Sequence, residues 1–153
     1  MGSYTATVLW TRPADAPFKD NKYSRAHEWR FDGGAVVRGS SSPLSVRVPL
    51  SDPAAVDPEE ALVAAVSSCH MLFFLSFAAA GGFVIDRYED EALGDMGKNA
   101  RGATAMVKIR LRPKITWVGA PPSAEQLDKL HHRSHESCYI ANSITAEILI
   151  EPR

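Results

Sequence analysis

One long apolar segment, residues 61–80, constrains the fold of this chain more than any other feature of its sequence. A helix is predicted here because Asp57 is a good N-cap, Pro58 suits the first helical position and Glu60 completes a capping-box spacing. Gly81-Gly82 then supplies the C-terminal stop. Because the segment is apolar around nearly its whole circumference, we expect the helix to be buried on most sides.

The length of this helix also fits a membrane span. We expect a core helix instead, because serine and histidine side chains lie within it, no basic residue flanks it closely and the remaining sequence is typical of a globular protein. A domain of this size can scarcely wrap such a helix alone. The sequence therefore predicts dimerisation and no membrane partner.

Bulk composition limits the other possibilities. A length of 153 residues with 45% hydrophobic and 23% charged residues predicts a single domain over residues 1–153. The formal net charge of -1 gives no sign of a nucleic-acid or anionic-membrane partner. The N-terminal sequence MGSYTATVLW lacks a basic region followed by an apolar run, so we expect a cytoplasmic protein. Thiols are kept reduced in the cytoplasm, so we expect any disulfide to be transient.

The sequence before the long helix favours β-structure. Residues 3–11 predict a strand, and residues 24–31 and 35–39 predict a hairpin, because the Asp-Gly-Gly sequence between them suits a tight turn. Residues 44–50 predict another short strand.

After the helix, residues 83–93 and 103–117 predict two strands joined as a hairpin by the polar, Gly-containing residues 94–102. Ser123 and Gln126 have capping-box spacing and predict a second helix that runs to about residue 137. A final strand is predicted over residues 145–150. The order β-β-β-α-β-β-α-β with hairpins predicts an α+β fold with antiparallel sheets.

The two cysteines have opposite settings. Cys69 lies within the apolar helix, where burial alone raises a thiol pKa and a small core residue is the ordinary interpretation. Cys138 lies in the polar, histidine-rich stretch KLHHRSHESCYIANS. For Cys69 to react, a cation must reach it, and Arg25 and Arg30 of the first predicted hairpin are candidates. Either arginine would more ordinarily be a solvated side chain on the sheet.

Three residues near the C-terminus suggest a different chemistry. His131, His135 and Cys138 are spaced i, i+4, i+7, which places them on one face of a helix with ligand types that zinc accepts. A fourth ligand is missing unless Cys69 or a carboxylate supplies it. Zinc binding is therefore an alternative interpretation.

Three sequence motifs together resemble those of the OsmC/Ohr family of thiol peroxidases, in its OsmC-like branch. They are DPEEAL at residues 57–62 leading to SCH at 68–70, HESCYIANS at 135–143, and SRAHEWRFDGG at 24–34. The resemblance implies an intertwined α+β homodimer with active sites at the subunit interface. It also implies reduction of hydroperoxides, often organic ones, without any cofactor, and recycling by a dithiol reductant.

The same resemblance implies roles for individual residues. Cys69 corresponds to the peroxidatic cysteine and Cys138 to the resolving cysteine, with Glu59 as the acidic partner of the activating arginine. Arg25 is our choice for that arginine, with Arg30 as its rival. Tyr139 departs from the family pattern, in which many members have proline after the second cysteine.

Glu59 precedes Cys69 by ten residues, which on a straight helix is about 15 Å along the axis. We therefore expect a Glu–Arg pair to serve the partner subunit's cysteine. A non-enzymatic alternative also follows from the fold: a protein of this family that binds a small hydrophobic ligand at its dimer interface, against the apolar side chains near Cys69.

Overall fold

Two units make up residues 2–153, the part of the chain that the computed structural model describes. The first unit ends at Ala61, and the second spans Leu62–Arg153. The single domain over residues 1–153 stays a prediction.

An antiparallel sheet forms the regular part of the first unit. Its strands β1 (Ala6–Leu9), β2 (His27–Phe31) and β3 (Val36–Gly39) lie in sequence order. The predicted hairpin between β2 and β3 is confirmed: the turn closes with the Gly34 N–H donating to the Phe31 carbonyl at 3.0 Å, and Gly34 adopts φ 87°. A glycine suits this position because side chains disfavour positive φ.

The strand predicted at residues 44–50 is wrong. This segment is a succession of turns, in which the Val46 N–H donates to the Ser42 carbonyl at 2.9 Å and the Leu50 N–H donates to the Arg47 carbonyl at 3.1 Å. Local turns supply hydrogen-bond partners for its backbone groups. Pro43 and Pro49 have no N–H that could donate to a neighbouring strand.

Helix α1 (Pro58–Ala80) has the predicted ends. At its start the Glu60 N–H donates to Asp57 Oδ1 at 2.8 Å, and the Asp57 N–H donates to Glu60 Oε2 at 3.3 Å, which completes the capping box. At its end Gly82 adopts φ 79°, and the Phe83 N–H donates to the Ala78 carbonyl at 3.0 Å.

Burial of α1 within one chain is confined to a single line of residues one turn apart. The buried residues on this line are Val66, His70, Phe74 and Ala78. The expected burial on most sides is therefore not reached within one chain, and Leu72, on the opposite side of the helix, is 61% exposed. By length and composition alone α1 could cross a membrane, which is weak evidence because core helices meet the same criterion.

Five strands and a second helix complete the second unit. The strands are β4 (Val84–Asp90), β5 (Leu93–Lys98), β6 (Thr104–Leu111), β7 (Pro113–Val118) and β8 (Glu147–Ile150). Strands β4 and β7 pair antiparallel, and so do β5 and β6, while β8 joins β6 in parallel. Helix α2 (Ala124–Ser137) has the predicted Ser123–Gln126 capping box and is followed by a 3₁₀ turn, Ala141–Ser143.

Two details of this unit correct the prediction. Much of the polar connection at residues 94–102 belongs to β5, and only a turn at Asn99–Ala103 joins β5 to β6, closed by the Asn99 N–H donating to the Ala103 carbonyl at 2.9 Å. The long run at 103–117 is two strands, because the Arg112 N–H donates to the side chain of Asp90, at Oδ1 2.6 Å away, instead of to a backbone carbonyl. The fold is α+β, with mostly antiparallel sheets.

The core of the second unit lies between α1 and β6. Val66, Ile109 and Leu111 are completely buried and form its centre. Partly buried residues from α1, β8 and the segment after α2 surround them, so this core fixes α1 beside the segment that carries Cys138.

Candidate active site

Cys69 lies near the middle of α1, on a line of residues beside the buried line that contains Val66 and His70. This line is Cys69, Phe73 and Phe77, spaced one helical turn apart, and all three side chains are half-buried. The Cys69 thiol is therefore neither locked in the core nor fully in solvent.

Cys138 is the C-cap of α2. It has an extended backbone, φ -67° and ψ 109°, and its N–H donates to the His135 carbonyl at 3.2 Å. Its Sγ accepts from the Ala141 N–H at 3.4 Å and lies 4.0 Å from the Val66 carbonyl on α1. The side chain is only 1% exposed, so α1 and the 3₁₀ turn enclose it.

The structure brings the two cysteines together. Both are free thiols, and they are near enough that Cys69 contributes to the raised pKa of Cys138. The pKa of Cys138 is raised to about 11: burial is the largest cause and the neighbouring Cys69 adds to it, against the lowering effect of the Ala141 and Ile140 N–H groups. At neutral pH, Cys138 is therefore a protonated thiol.

A buried pair of imidazoles joins α1 to α2. His70 Nε2 is 3.1 Å from His131 Nδ1, the two rings are stacked, and Phe74 packs against His131 with ring centroids 4.4 Å apart. The pKa of each histidine is lowered to about 4, mainly by burial; His131 and His135 add to the shift at His70, whereas Asp128 opposes the shift at His131. Both rings are neutral at pH 7.

This pairing gives no support to the zinc alternative. One ring nitrogen of His131 is engaged by His70 rather than shared with His135 and Cys138. Within residues 2–153, no group of three or more His, Cys, Asp or Glu side chains is arranged to hold a metal ion.

An aromatic contact borders the thiols on one side. The Tyr139 ring meets Phe73 edge to face, with centroids 5.2 Å apart and an interplanar angle of 90°. Tyr139 is 70% exposed, so its ring stands at the surface directly after the second cysteine.

Arg25, the predicted thiolate-activating residue, lies in the first unit just before β2. Its guanidinium donates to the Asn21 carbonyl at 3.0 Å, to Asn21 Oδ1 at 2.9 Å and to the Tyr23 carbonyl. It also lies 3.8 Å above the Tyr23 ring. These contacts hold the guanidinium against its own loop.

The other two charged candidates also belong to the first unit. Arg30 forms an ion pair with Glu28 at 2.7 Å on an exposed part of β2. Glu59 is half-buried in the first turn of α1. Because Arg30 is already paired, Arg25 remains the stronger candidate of the two arginines, and the roles of Arg25 and Glu59 stay predictions.

Sequence reasoning missed the His70–His131 pair. The helical spacing of Val66, His70 and Phe74 places His70 on the buried line of α1, which is a usable signal. Its partner was not predictable from spacing, because 61 residues separate the two histidines.

Comparison with known proteins supports the same family as the motifs. The family profile described as OsmC-like protein matches residues 51–153. No curated protein matches the sequence. An OsmC-like protein of unknown function from Vibrio cholerae has a solved structure that is 49% identical, covers 100% of both chains and superposes with a TM-score of 0.98.

More distant structures share the fold alone. An OsmC-like protein from Mycoplasma pneumoniae is 15% identical, with a TM-score of 0.73 over 99% of this chain and 96% of that one. The organic hydroperoxide resistance protein OhrB of Bacillus subtilis is 17% identical, with a TM-score of 0.65 over 98% of each chain. With the profile covering most of the sequence and the two cysteine motifs in place, this chain belongs to the OsmC-like protein family.

Proposed function

We propose that this protein is a cysteine-based peroxidase that reduces organic hydroperoxides, and hydrogen peroxide by the same step, with Cys69 as the reacting thiol. The observation that carries the proposal is the proximity of two free thiols, one half-buried on α1 and one buried at the end of α2. Membership of a family whose fold is shared with organic hydroperoxide resistance proteins supports it.

The proposed reaction begins at the Cys69 thiolate. Its sulfur attacks one peroxide oxygen, the O–O bond breaks, and the leaving alkoxide takes a proton to become an alcohol, or water from hydrogen peroxide. Cys69 is left as a sulfenic acid. The Cys138 sulfur then forms a bond to Cys69, releasing water and giving a Cys69–Cys138 disulfide. The proximity of the two side chains suits this second step.

Recycling requires an external dithiol. Its two thiols are oxidised to a disulfide while Cys69 and Cys138 return to thiols, which balances the cycle. We place this cycle in the cytoplasm, where dithiol reductants are maintained.

Arg25 and Glu59 are the proposed supporting residues. A guanidinium stabilises a half-buried thiolate and can bind the peroxide oxygens, and a carboxylate holds that guanidinium by a bidentate pair. The present contacts of Arg25 are with neutral acceptors of its own loop, so its charge is available to an anion. We propose that these residues serve the thiols within a homodimer, whose second copy would also cover the exposed side of α1.

Rapid mixing of the reduced protein with cumene hydroperoxide tests the proposal. We expect both thiols to disappear and about one equivalent of cumyl alcohol to form per chain, because each turnover consumes one peroxide and two thiols. In the Cys69→Ser variant, alcohol formation should fall to the rate without protein. Intact thiols in the wild type, or equal peroxide consumption by Cys69→Ser, would contradict the enzymatic function.

A second candidate function is binding of a small hydrophobic ligand without chemistry. The half-buried Phe73 and the exposed Tyr139 ring beside it favour this candidate, because they offer an apolar surface at the same place. Ligand binding that is unchanged in Cys69→Ser, together with thiols that are inert to hydroperoxide, would favour it over the peroxidase.

A further inference from the structure

A cavity of about 300 Å³ lies between helix α2 and the C-terminal strand β8. Its apolar lining residues are Ala124, Leu127, Ile150 and Pro152, and its polar ones are Asp128, His131 and His132, all three on α2. His131 precedes Cys138 by seven residues, which is about 10 Å along the helix axis, so this cavity is separate from the thiols. An apolar wall with a few polar groups is the usual form of a small-molecule site.

One polar group of this wall is buried and lacks a partner. His131 is 4% exposed, and no hydrogen bond within residues 2–153 reaches its Nε2. Its Nδ1 lies 3.1 Å from His70 Nε2 on α1, so Nε2, on the other side of the ring, is the polar edge that His131 offers to the cavity. Because buried polar groups are nearly always hydrogen-bonded, this nitrogen points to a ligand that bonds to it.

The charged group of the wall is a carboxylate. Asp128 is exposed, and no ion pair in the described part of the chain involves it, because the adjacent Lys129 pairs with Glu125 at 2.6 Å. Asp128 is near enough to His131 to oppose the lowering of its pKa by burial. No lysine or arginine is among the lining residues that the structure describes. A ligand with a positive charge therefore complements this wall.

A protonated primary amine is able to bond to both polar groups at once. An ammonium has three N–H donors and no acceptor, an ionised carboxylate only accepts, and a neutral imidazole has one accepting nitrogen. If Nε2 of His131 accepts, the ring proton lies on Nδ1 and is donated to His70 Nε2. The ammonium, His131 and His70 then form one chain of hydrogen bonds from the cavity to α1.

We propose that this cavity binds a small amphipathic amine, a molecule with one protonated amino group on a compact apolar body. The ammonium donates to the Asp128 carboxylate and to Nε2 of His131, and the apolar body packs on Leu127, Ile150 and Pro152. The proposal concerns binding alone, so it does not depend on the peroxidase function.

Three probes of similar shape and different charge test the proposal: 2-phenylethylamine, 2-phenylethanol and 3-phenylpropanoate. Each is titrated into the reduced, ¹⁵N-labelled full chain at pH 7 and followed by NMR. We expect the amine to shift amide signals of α2 and β8 with a Kd of about 1 mM, an ordinary value for so small a ligand. The alcohol should bind about tenfold more weakly, because it lacks the charge-assisted hydrogen bonds, and the carboxylate more weakly still.

Added salt should weaken amine binding, because Asp128 is exposed. Nuclear Overhauser contacts from the phenyl ring to the methyl groups of Leu127 and Ile150 should locate the bound amine. Equal affinities for amine and alcohol, or signal shifts confined to other parts of the protein, would overturn the proposal.

Asp128→Asn should lower the affinity for the amine about tenfold and leave that for the alcohol within about twofold, because the amide keeps the shape of the carboxylate without its charge. Glu151→Gln is the matched control. It removes an equal charge at an exposed position between the lining residues Ile150 and Pro152, and should change the amine affinity by less than about twofold. A preference for the amine that survives Asp128→Asn, or that Glu151→Gln removes equally, would contradict the assigned contact.

The ring nitrogens of His131 give a readout that a general effect of charge would not move. In the complex with the amine, ¹⁵N NMR of the imidazole should show the proton on Nδ1 and an unprotonated Nε2. A proton that remains on Nε2 in the complex would reject the bond between the amine and His131.

Discussion

Cys138 is 1% exposed and Cys69 is half-buried, so a peroxide meets Cys69 first. Cys138→Ser should therefore leave the first reduction of cumene hydroperoxide within about twofold of the wild-type rate. Without its partner thiol, Cys69 should accumulate as sulfinic and sulfonic acids under repeated peroxide addition. Mass spectrometry of the Cys69 peptide measures this, with Cys69→Ser as the control. A Cys138→Ser protein whose Cys69 resists sulfinic and sulfonic acid formation as well as the wild type does would contradict the resolving role.

The His70–His131 pair makes a prediction about pH. The pKa of each histidine is lowered from 6.5 to about 4, so the unfolded state binds more protons than the folded state between these values. The contribution of the two neutral, buried histidines to the free energy of unfolding is fully present above pH 6.5. It is lost as the pH falls towards 4. Each group contributes on the order of 3 kcal/mol at most.

Urea unfolding as a function of pH measures this loss. His131→Phe should flatten the decrease in the free energy of unfolding between pH 6.5 and 4, because the buried imidazole pair is gone. His132→Gln removes an exposed imidazole and serves as the matched control. An unchanged decrease in His131→Phe would show that other groups cause the acid sensitivity.

At the scale of the elements, β5 lies so close to α1 that a side chain hardly fits between them. A Cβ added at Gly94 would lie 2.6 Å from Val63 Cγ2 on α1 and 2.6 Å from Met106 Sδ on β6. Gly94→Ala should lower the free energy of unfolding by about 1–3 kcal/mol, as overpacking does. Gly33→Ala, where no atom lies within 4 Å of the added carbon, is the control, with an expected change below about 0.5 kcal/mol. Equal effects of the two substitutions would contradict this account of β5.

The elements also show where prediction from sequence succeeds. Both helices were predictable because their capping boxes are local: Asp57 with Glu60, and Ser123 with Gln126. The conformations of residues 44–50 and of β5 were not predictable. Prolines and glycines obscure the strand propensity of these segments, and only tertiary contacts decide whether they form strands. The thiol pair was predicted by family resemblance, whereas the partner of His70 lies on the other helix and has no signal in local spacing.

At the scale of the whole molecule, the exposed side of α1 predicts a dimer. Leu72 is 61% exposed on a long apolar helix, and a second copy would remove such side chains from water. Sedimentation equilibrium should give about twice the chain mass of 16.7 kDa. Leu72→Glu should shift the equilibrium towards the monomer, whereas Leu44→Glu, at a position that is 99% exposed in the first unit, should not. A wild-type monomer at micromolar concentration would reject the dimer.

The central claim is that Cys69 and Cys138 act as one redox pair, and peptide mapping tests it most directly. Reduced protein is treated with one equivalent of cumene hydroperoxide, quenched with an alkylating reagent, digested and examined by mass spectrometry without reduction. We predict that the peptides containing Cys69 and Cys138 are joined within one chain and that a dithiol separates them again. Both cysteines recovered in alkylated form, with the hydroperoxide unconsumed, would contradict the claim.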